Sequence, residues 1–201
     1  MPRTWVMLSA TLLLAACATQ PGKGGAPQAA SKARAPELSH QRLILSEGYS
    51  ILYQDAETMS RAKFLIYVKE ESDDFEQVIV AVAEFGSELK VDLERVDRDY
   101  PGVRINLDPL PEMEKRKRKS TGVDKFIDNA PIIGKSGPEY ERTFLISISN
   151  GLNQERHLAE EMTNEEPDPG LKKFLLGVQR RMDALYARTE ALLQKTYYRP
   201  I

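Results

Sequence analysis

Two acidic residues stand in otherwise apolar helical patterns of this 201-residue chain. Asp55 and Glu155 each interrupt a row of apolar residues spaced three and four positions apart. Because a lone charge is almost never fully buried without a partner, one interpretation is that these carboxyl groups face each other across the core and share a site. Such a site would hold a metal ion or a proton. The favoured interpretation is that each acid is neutralised by a base or lies at the edge of the bundle, and the candidate bases are Lys63, Lys90, Arg181 and Arg188.

The densest run of positive charge comprises Lys115, Arg116, Lys117, Arg118 and Lys119. These residues are candidates for binding a partner of opposite charge, such as an acidic protein or an anionic polymer. The alternative is a solvated loop without a partner. Nucleic acid is not expected as a partner, because the chain has a net charge of −2 whereas nucleic-acid-binding domains are strongly basic.

Other reactive side chains are scarce. Cys17 is the one cysteine, and His40 and His157 are the two histidines, which excludes a His-rich metal site. His157 has Glu160 and Glu161 at helical spacing, and we interpret this group as solvated surface. The acids around residues 160–168 are interpreted as a polar turn. The chain lacks the motifs of a nucleophile elbow, a phosphate-binding loop or a dinucleotide site.

The N-terminal residues have the pattern of a signal peptide. Arg3 supplies a positive charge, and residues 5–14 form an apolar stretch that is shorter than the about 20 residues needed to span a bilayer. Small residues follow, and one cysteine comes directly after them. The segment Leu14-Ala15-Ala16-Cys17 resembles the lipobox of bacterial lipoproteins.

The lipobox resemblance implies that residues 1–16 are a cleaved signal peptide and that Cys17 carries a covalent lipid. Several acyl chains on one residue would give stable membrane anchoring. In many Gram-negative bacteria an Asp after the cysteine retains lipoproteins in the inner membrane, so Ala18 favours the outer membrane, facing the periplasm. No cofactor other than the lipid is expected.

Four segments have the apolar spacing of amphipathic helices. Ser72 and Asp168 are suited to cap the second and the fourth, while Pro138 and Pro169 suit the first turns of the third and the fourth. Glycines inside the helices predict close helix packing or, alternatively, a cavity for an apolar ligand. The predicted helices span residues 39–69, 72–100, 138–164 and 169–198, and the glycines are Gly48, Gly86, Gly151 and Gly177.

Short connections predict that the first two helices form one antiparallel hairpin and the last two form another. Residues 101–137 join the hairpins, and we predict a long irregular loop there with a short turn near 122–129. Residues 17–36 comprise the lipidated cysteine and a stretch too poor in apolar side chains to fold, which makes it a flexible tether. The predicted fold is all-α, a four-helix bundle over residues 37–201.

Inward carboxylates in a four-helix bundle resemble the ferritin-like di-iron proteins. That family supplies a Glu from each of two helices and a Glu-x-x-His motif from each of the other two. The predicted helices contain no Glu-x-x-His motif, and His157 lies on an outer face. The resemblance therefore concerns the architecture, with Asp55 and Glu155 as degenerate metal ligands.

Three functional hypotheses follow from these features. The favoured one is a membrane-anchored lipoprotein that serves as a non-enzymatic binding or scaffold module of the cell envelope. The second is a degenerate ferritin-like bundle that uses Asp55 and Glu155 for metal binding or catalysis. The third is a carrier of a small apolar ligand.

Overall fold

The computed structural model describes residues 39–64, 71–128 and 137–198. Over these ranges the protein is all-α and has no strand, as predicted. A 3₁₀ turn, Ala62–Phe64, follows the first helix, and a π-helical turn, Leu193–Tyr197, follows the last. The α-helices within the described ranges are α1 (His40–Ser60), α2 (Asp73–Asp99), α3 (Glu112–Asp128), α4 (Pro138–Glu165) and α5 (Pro169–Leu192).

The helix boundaries follow from local chemistry. Asp168 caps α5, since its Oδ1 accepts hydrogen bonds from the backbone N–H groups of Gly170 and Leu171 at 2.8 and 2.9 Å. Ser72 precedes α2 as predicted, but its side chain makes no capping bond to that helix. The first α-helix ends at Ser60, so its predicted continuation to residue 69 is wrong over residues 61–64, and the remaining predicted residues lie outside the described ranges.

The middle of the segment that joins the hairpins is helical, so the prediction of a long irregular loop over 101–137 is wrong there. Glu112 and Glu114 occupy the first turn of α3, where negative charge complements the helix dipole. Arg116 and Arg118 lie four residues further on, and each guanidinium Nε is 3.2 Å from the carboxylate one turn back. Such i,i+4 pairs favour a helix over a loop.

The start of the same segment is bound to α1. Val103 and Ile105 are buried, and two serines of α1 bind the backbone beside them. Ser46 Oγ accepts a hydrogen bond from the N–H of Arg104 at 3.2 Å, and Ser50 Oγ donates one to the Arg104 carbonyl at 3.2 Å. The connection therefore begins as part of the core.

The four long helices pack in pairs, α1 with α2 and α4 with α5, and the pairs meet where α2 contacts α5 and α1 contacts α4. Their apolar faces form two clusters of buried residues. No described helix is long and apolar enough to cross a membrane. Large buried side chains include Tyr49, Leu52, Leu89, Leu93, Leu175 and Met182 in one cluster, and Phe75, Ile79, Leu145, Leu152 and Leu193 in the other.

Two of the four helical glycines allow close packing. A Cβ on Gly86 would lie 2.7 Å from the backbone nitrogen of Ser60 in α1, and one on Gly48 would lie 2.7 Å from Met162 Sδ in α4. Gly151 and Gly177 are exposed and have no atom within 4 Å of the position a Cβ would take. The close packing predicted for the helical glycines therefore does not involve Gly151 or Gly177.

Candidate functional site

The structure brings together Asp55 of α1 and Glu155 of α4, which we call the carboxyl pair. Their carboxyl groups are within hydrogen-bonding reach of each other although they come from different hairpins. Glu155 is 8% exposed, and its Oε2 receives no hydrogen bond from any N–H or O–H group of the described residues. Two carboxyl groups in contact at a buried site avoid the repulsion of two negative charges when they share one proton.

The protonation state of the carboxyl pair follows from its surroundings. Burial raises the pKa of Glu155 to about 9, and the charge and hydrogen bond of Asp55 act in the same direction. The charge of Arg118 acts in the opposite direction but is the smallest of these effects. Glu155 is therefore neutral at pH 7, and the pair carries one negative charge.

The base that approaches the carboxyl pair is Arg118 of α3. Its Nη1 lies 3.7 Å from Asp55 Oδ1, and the two side chains are 41% and 25% exposed. The guanidinium also pairs with Glu114 through Nε. Arg118 thus connects the basic run with the carboxyl pair. In the sequence analysis these were two separate candidate sites.

None of the four predicted bases forms an ion pair with either acid within the described part of the chain. Lys90 Nζ instead lies 5.7 Å from the centre of the Tyr53 ring, and Arg181 pairs with Glu88 at 2.5 Å. The prediction of the neutralising base is therefore wrong in its choice of residue. The predicted bases were Lys63, Lys90, Arg181 and Arg188.

As a metal site, the carboxyl pair offers two protein ligands. The described residues contain no group of three or more His, Cys, Asp or Glu side chains placed to hold a metal ion. Resident metal ions in proteins are commonly held by three or more protein ligands. Arg118 also brings a positive charge toward Asp55, where it would repel a cation. The arrangement therefore favours a proton over a metal ion.

The basic run lies on α3 and is largely exposed. Arg116 and Lys117 have 70% and 66% of their side chains exposed, and the neighbouring Met113 is 73% exposed. Residues 112–119 contain five bases against two acids, so the segment stays positive after local pairing. The local ion pairs are Lys115–Asp108 (2.5 Å), Arg116–Glu112 (3.2 Å), Lys117–Glu114 (2.6 Å) and Arg118–Glu114 (3.2 Å).

Both histidines lie on the surface. His40 is the first residue of α1 and is exposed. The His157 side chain is 55% exposed, and its Nδ1 lies 3.1 Å from Glu160 Oε2. Glu161 is also exposed. This matches the interpretation of a solvated histidine with acidic neighbours.

Glu166, which the sequence analysis assigned to a polar turn, is instead buried. Its carboxylate accepts two hydrogen bonds from the Arg42 guanidinium at 2.8 and 2.9 Å and one from the Tyr49 hydroxyl at 3.1 Å. The backbone N–H of Asp168 supplies another at 3.0 Å. Because Glu166 directly follows α4, helical periodicity carries no signal for its burial.

Glu141 is a second buried acid that the sequence analysis missed. Its carboxylate accepts hydrogen bonds from the Ser72 N–H at 2.6 Å, from the Ser72 hydroxyl at 2.7 Å and from the Tyr197 hydroxyl. Burial raises the pKa of Glu141, but the hydrogen bonds outweigh burial and hold the pKa below its ordinary value. A charged acid from α4 thus caps α2, and its role is structural.

A cleft of about 460 Å³ opens along α2 and α5. Charged residues dominate its lining, with Asp73, Glu76 and Glu84 on α2 and Arg188 on α5. Small apolar ligands are normally bound in cavities lined by apolar and aromatic side chains. This cleft therefore does not supply the cavity that the carrier hypothesis requires.

Comparison of the chain with protein-family models, with curated proteins and with solved structures gives no match. Any function therefore has to be argued from the residues themselves. The features that bear on function are the carboxyl pair, the basic run on α3 and Cys17 in the lipobox-like segment.

Proposed function

We propose that the protein is a lipid-anchored lipoprotein of the bacterial cell envelope that acts as a non-enzymatic binding or scaffold module. In this proposal Cys17 carries the lipid and residues 18–36 form the tether. Residues 37–201 form a four-helix bundle of α1, α2, α4 and α5 on the periplasmic side of the outer membrane. The lipobox-like segment Leu14–Cys17 supports the anchor, and the packing of the four long helices supports the bundle.

The observation that carries the binding role is the exposed basic run Lys115–Lys119 on α3. The chain as a whole is acidic, with 30 acidic against 28 basic residues, so this segment is a local exception. A positive surface on a membrane-anchored protein attracts anionic components within about 8 Å at physiological salt. We therefore propose an anionic envelope component, such as an acidic polymer or lipid headgroup, as the partner.

Crosslinking in intact cells tests the binding role. A photo-crosslinking amino acid placed at Met113 should capture the partner, because this side chain is 73% exposed beside the basic run. The matched control is the same group at Val91 on α2, which is 54% exposed and distant in sequence. Replacing all five bases of the run by Gln should abolish the capture with little change in melting temperature. Equal capture from both positions, or capture that survives the five substitutions, would contradict the proposal.

The anchor is tested separately. Lipid transfer to a lipobox requires the thiol, so Cys17→Ser should abolish labelling by radioactive fatty acid and release the protein from the membrane fraction. Cys17 is the single cysteine, which means that the label has no second thiol to occupy. Persistence of the label would show that the lipobox interpretation is wrong.

A metal-binding role is a second candidate, supported by the contact between Asp55 and Glu155. Metal analysis of protein purified without chelators tests it. A metal content near one ion per chain that is lost in Glu155→Gln would favour this role over the binding module. The nearby Arg118 leads us to expect no stoichiometric metal.

A further inference from the structure

At the contact between α3 and the carboxyl pair, one positive charge meets one negative charge. The pair carries one negative charge when Glu155 holds its proton, and Arg118 brings one positive charge to within 3.7 Å of Asp55. The ionisable groups of the described residues at this point are Asp55 on α1, Glu155 on α4, and Glu114 and Arg118 on α3. Arg118 is therefore both part of the basic run and the ion-pair partner of α1.

We propose that the carboxyl pair is a docking site for Arg118 that controls how fully the basic run on α3 is available to an anionic partner. This inference rests on the proposed binding role of that run and adds its regulation. In the docked state Asp55 pairs with Arg118, so this residue of the basic run is held against α1. In the released state all five bases can contact the partner.

The geometry describes a contact that can be broken by competition. At 3.7 Å the Arg118–Asp55 pair is longer than a hydrogen bond, and 41% of the Arg118 side chain remains exposed. Phosphate and carboxylate groups form shorter, often bidentate bonds to a guanidinium. An anionic surface would therefore compete successfully with Asp55 for Arg118.

The carboxyl pair itself supplies a matched pair of variants. Asp55→Asn removes the negative charge that attracts Arg118 and keeps a polar group that can bond to Glu155. Glu155→Gln changes the other member of the pair at nearly the same place, but leaves the charge on Asp55 because Glu155 is already neutral. Only the first variant should release Arg118.

Hydrogen exchange at pH 7 tests the docking contact without a partner. In the full chain, Asp55→Asn should speed exchange of the α3 amides about two- to five-fold, as expected for loss of a partly exposed ion pair. Glu155→Gln should leave that exchange unchanged. Unchanged exchange in Asp55→Asn, or equal acceleration in both variants, would overturn the proposed docking.

Binding to vesicles tests the consequence. The probe is a vesicle of phosphatidylglycerol and phosphatidylcholine at low salt, and every chain carries Cys17→Ser so that the variants share one N-terminus. Asp55→Asn should bind about two- to five-fold more tightly than the parent, and Glu155→Gln should bind like the parent. Arg118→Gln should bind more weakly and lose the effect of Asp55→Asn.

The two measurements separate this inference from the proposed function. If exchange responds as expected but no chain binds the anionic vesicle, docking is supported and a lipid partner for the basic run is contradicted. If the parent binds but Asp55→Asn changes neither exchange nor affinity, the binding role is supported and its control by the carboxyl pair is contradicted.

Discussion

At the scale of single residues, Glu155 shows how burial changes the chemistry of an acid. In water its carboxyl would be ionised at pH 7, whereas here burial raises its pKa to about 9. Its neighbour is a second acid, and its oxygen Oε2 has no donor among the described residues, so the neutral form is favoured over a buried charge without a partner.

The raised pKa of Glu155 predicts a particular pH dependence of stability. Between the ordinary Glu pKa of about 4.3 and the folded value of about 9, the unfolded chain releases a proton that the folded chain keeps. The contribution of Glu155 to the free energy of unfolding is thus fully present at low pH. It is lost as pH rises, by up to about 1.4 kcal/mol per pH unit. Urea unfolding measured from pH 5 to pH 9 should show this decline.

The control for this prediction is Glu155→Gln, which stays neutral at every pH. The variant should have a flatter stability profile than the parent and should equal or exceed its stability at pH 8. A decline of the same slope in both proteins would show that other groups cause it. A variant less stable than the parent at pH 8 would contradict a neutral Glu155 in the folded state.

A second residue-level prediction concerns the buried pair of Arg42 and Glu166, whose side chains are 17% and 0% exposed. Arg42→Met should destabilise the protein by about 3 kcal/mol, because it leaves a buried carboxylate without its counter-charge. The matched control is Arg61→Met, which removes an ion pair to Glu57 with 67% of the Arg61 side chain exposed and should cost less than about 1 kcal/mol. If the urea midpoint fell equally in both variants, the predicted difference between a buried and an exposed ion pair would be contradicted.

At the scale of elements, the contact between α1 and α2 depends on the absence of a side chain at Gly86. A Cβ there would lie 2.6 Å from Met59 Cβ and 2.8 Å from the Ala56 carbonyl oxygen. Backbone and Cβ atoms cannot move aside as the end of a flexible side chain can, so the two helices would have to separate. The close approach of α1 and α2 at this position therefore requires a glycine.

Substitutions of helical glycines test this interpretation. Gly86→Ala should destabilise the protein by about 1–3 kcal/mol through overpacking. Gly151→Ala should instead stabilise it by about 0.5–1 kcal/mol, because the position is open and Ala is the better helix former. Thermal melting of the two variants should shift in opposite directions, and shifts of the same sign would contradict the close contact at Gly86.

At the scale of the whole molecule, three buried acids connect the second hairpin to the first. Glu141 binds Ser72 before α2, Glu155 bonds to Asp55 of α1, and Glu166 pairs with Arg42 of α1. They lie at the start, in the middle and directly after the end of α4. Apolar contacts alone tolerate sliding, whereas such bonds are directional, so we infer that these acids set the register between hairpins.

The whole-molecule organisation also predicts that the helical part folds without the N-terminal segment. The buried apolar residues of the described ranges all lie between Leu45 and Leu193. Residues 18–36 are rich in Ala, Gly, Pro and Gln and offer little to bury. Deletion of residues 1–36 should therefore change the melting temperature by no more than about 2 °C, since a loss of 1 kcal/mol already shifts it by more. A larger fall would show that this segment contributes to the fold.

Local patterns in the sequence were sufficient to predict the four long helices. Apolar spacing marked their faces, and Ser72, Pro138, Asp168 and Pro169 marked the starts of three of them, because caps and first turns depend on neighbours within four residues. The same reasoning placed Asp55 and Glu155 in apolar faces. It missed α3, whose i,i+4 ion pairs stabilise a helix without an apolar stripe.

The tertiary structure alone decided which groups meet. Helical periodicity shows that an acid faces inward but not which base reaches it, and only the folded chain brings Arg118 of α3 to Asp55 of α1. Glu141 and Glu166 lie near helix ends, where an inward and an outward position look alike in the sequence. Burial, pKa and partner depend on distances between segments far apart in the chain, and residue types and local spacing do not determine these distances.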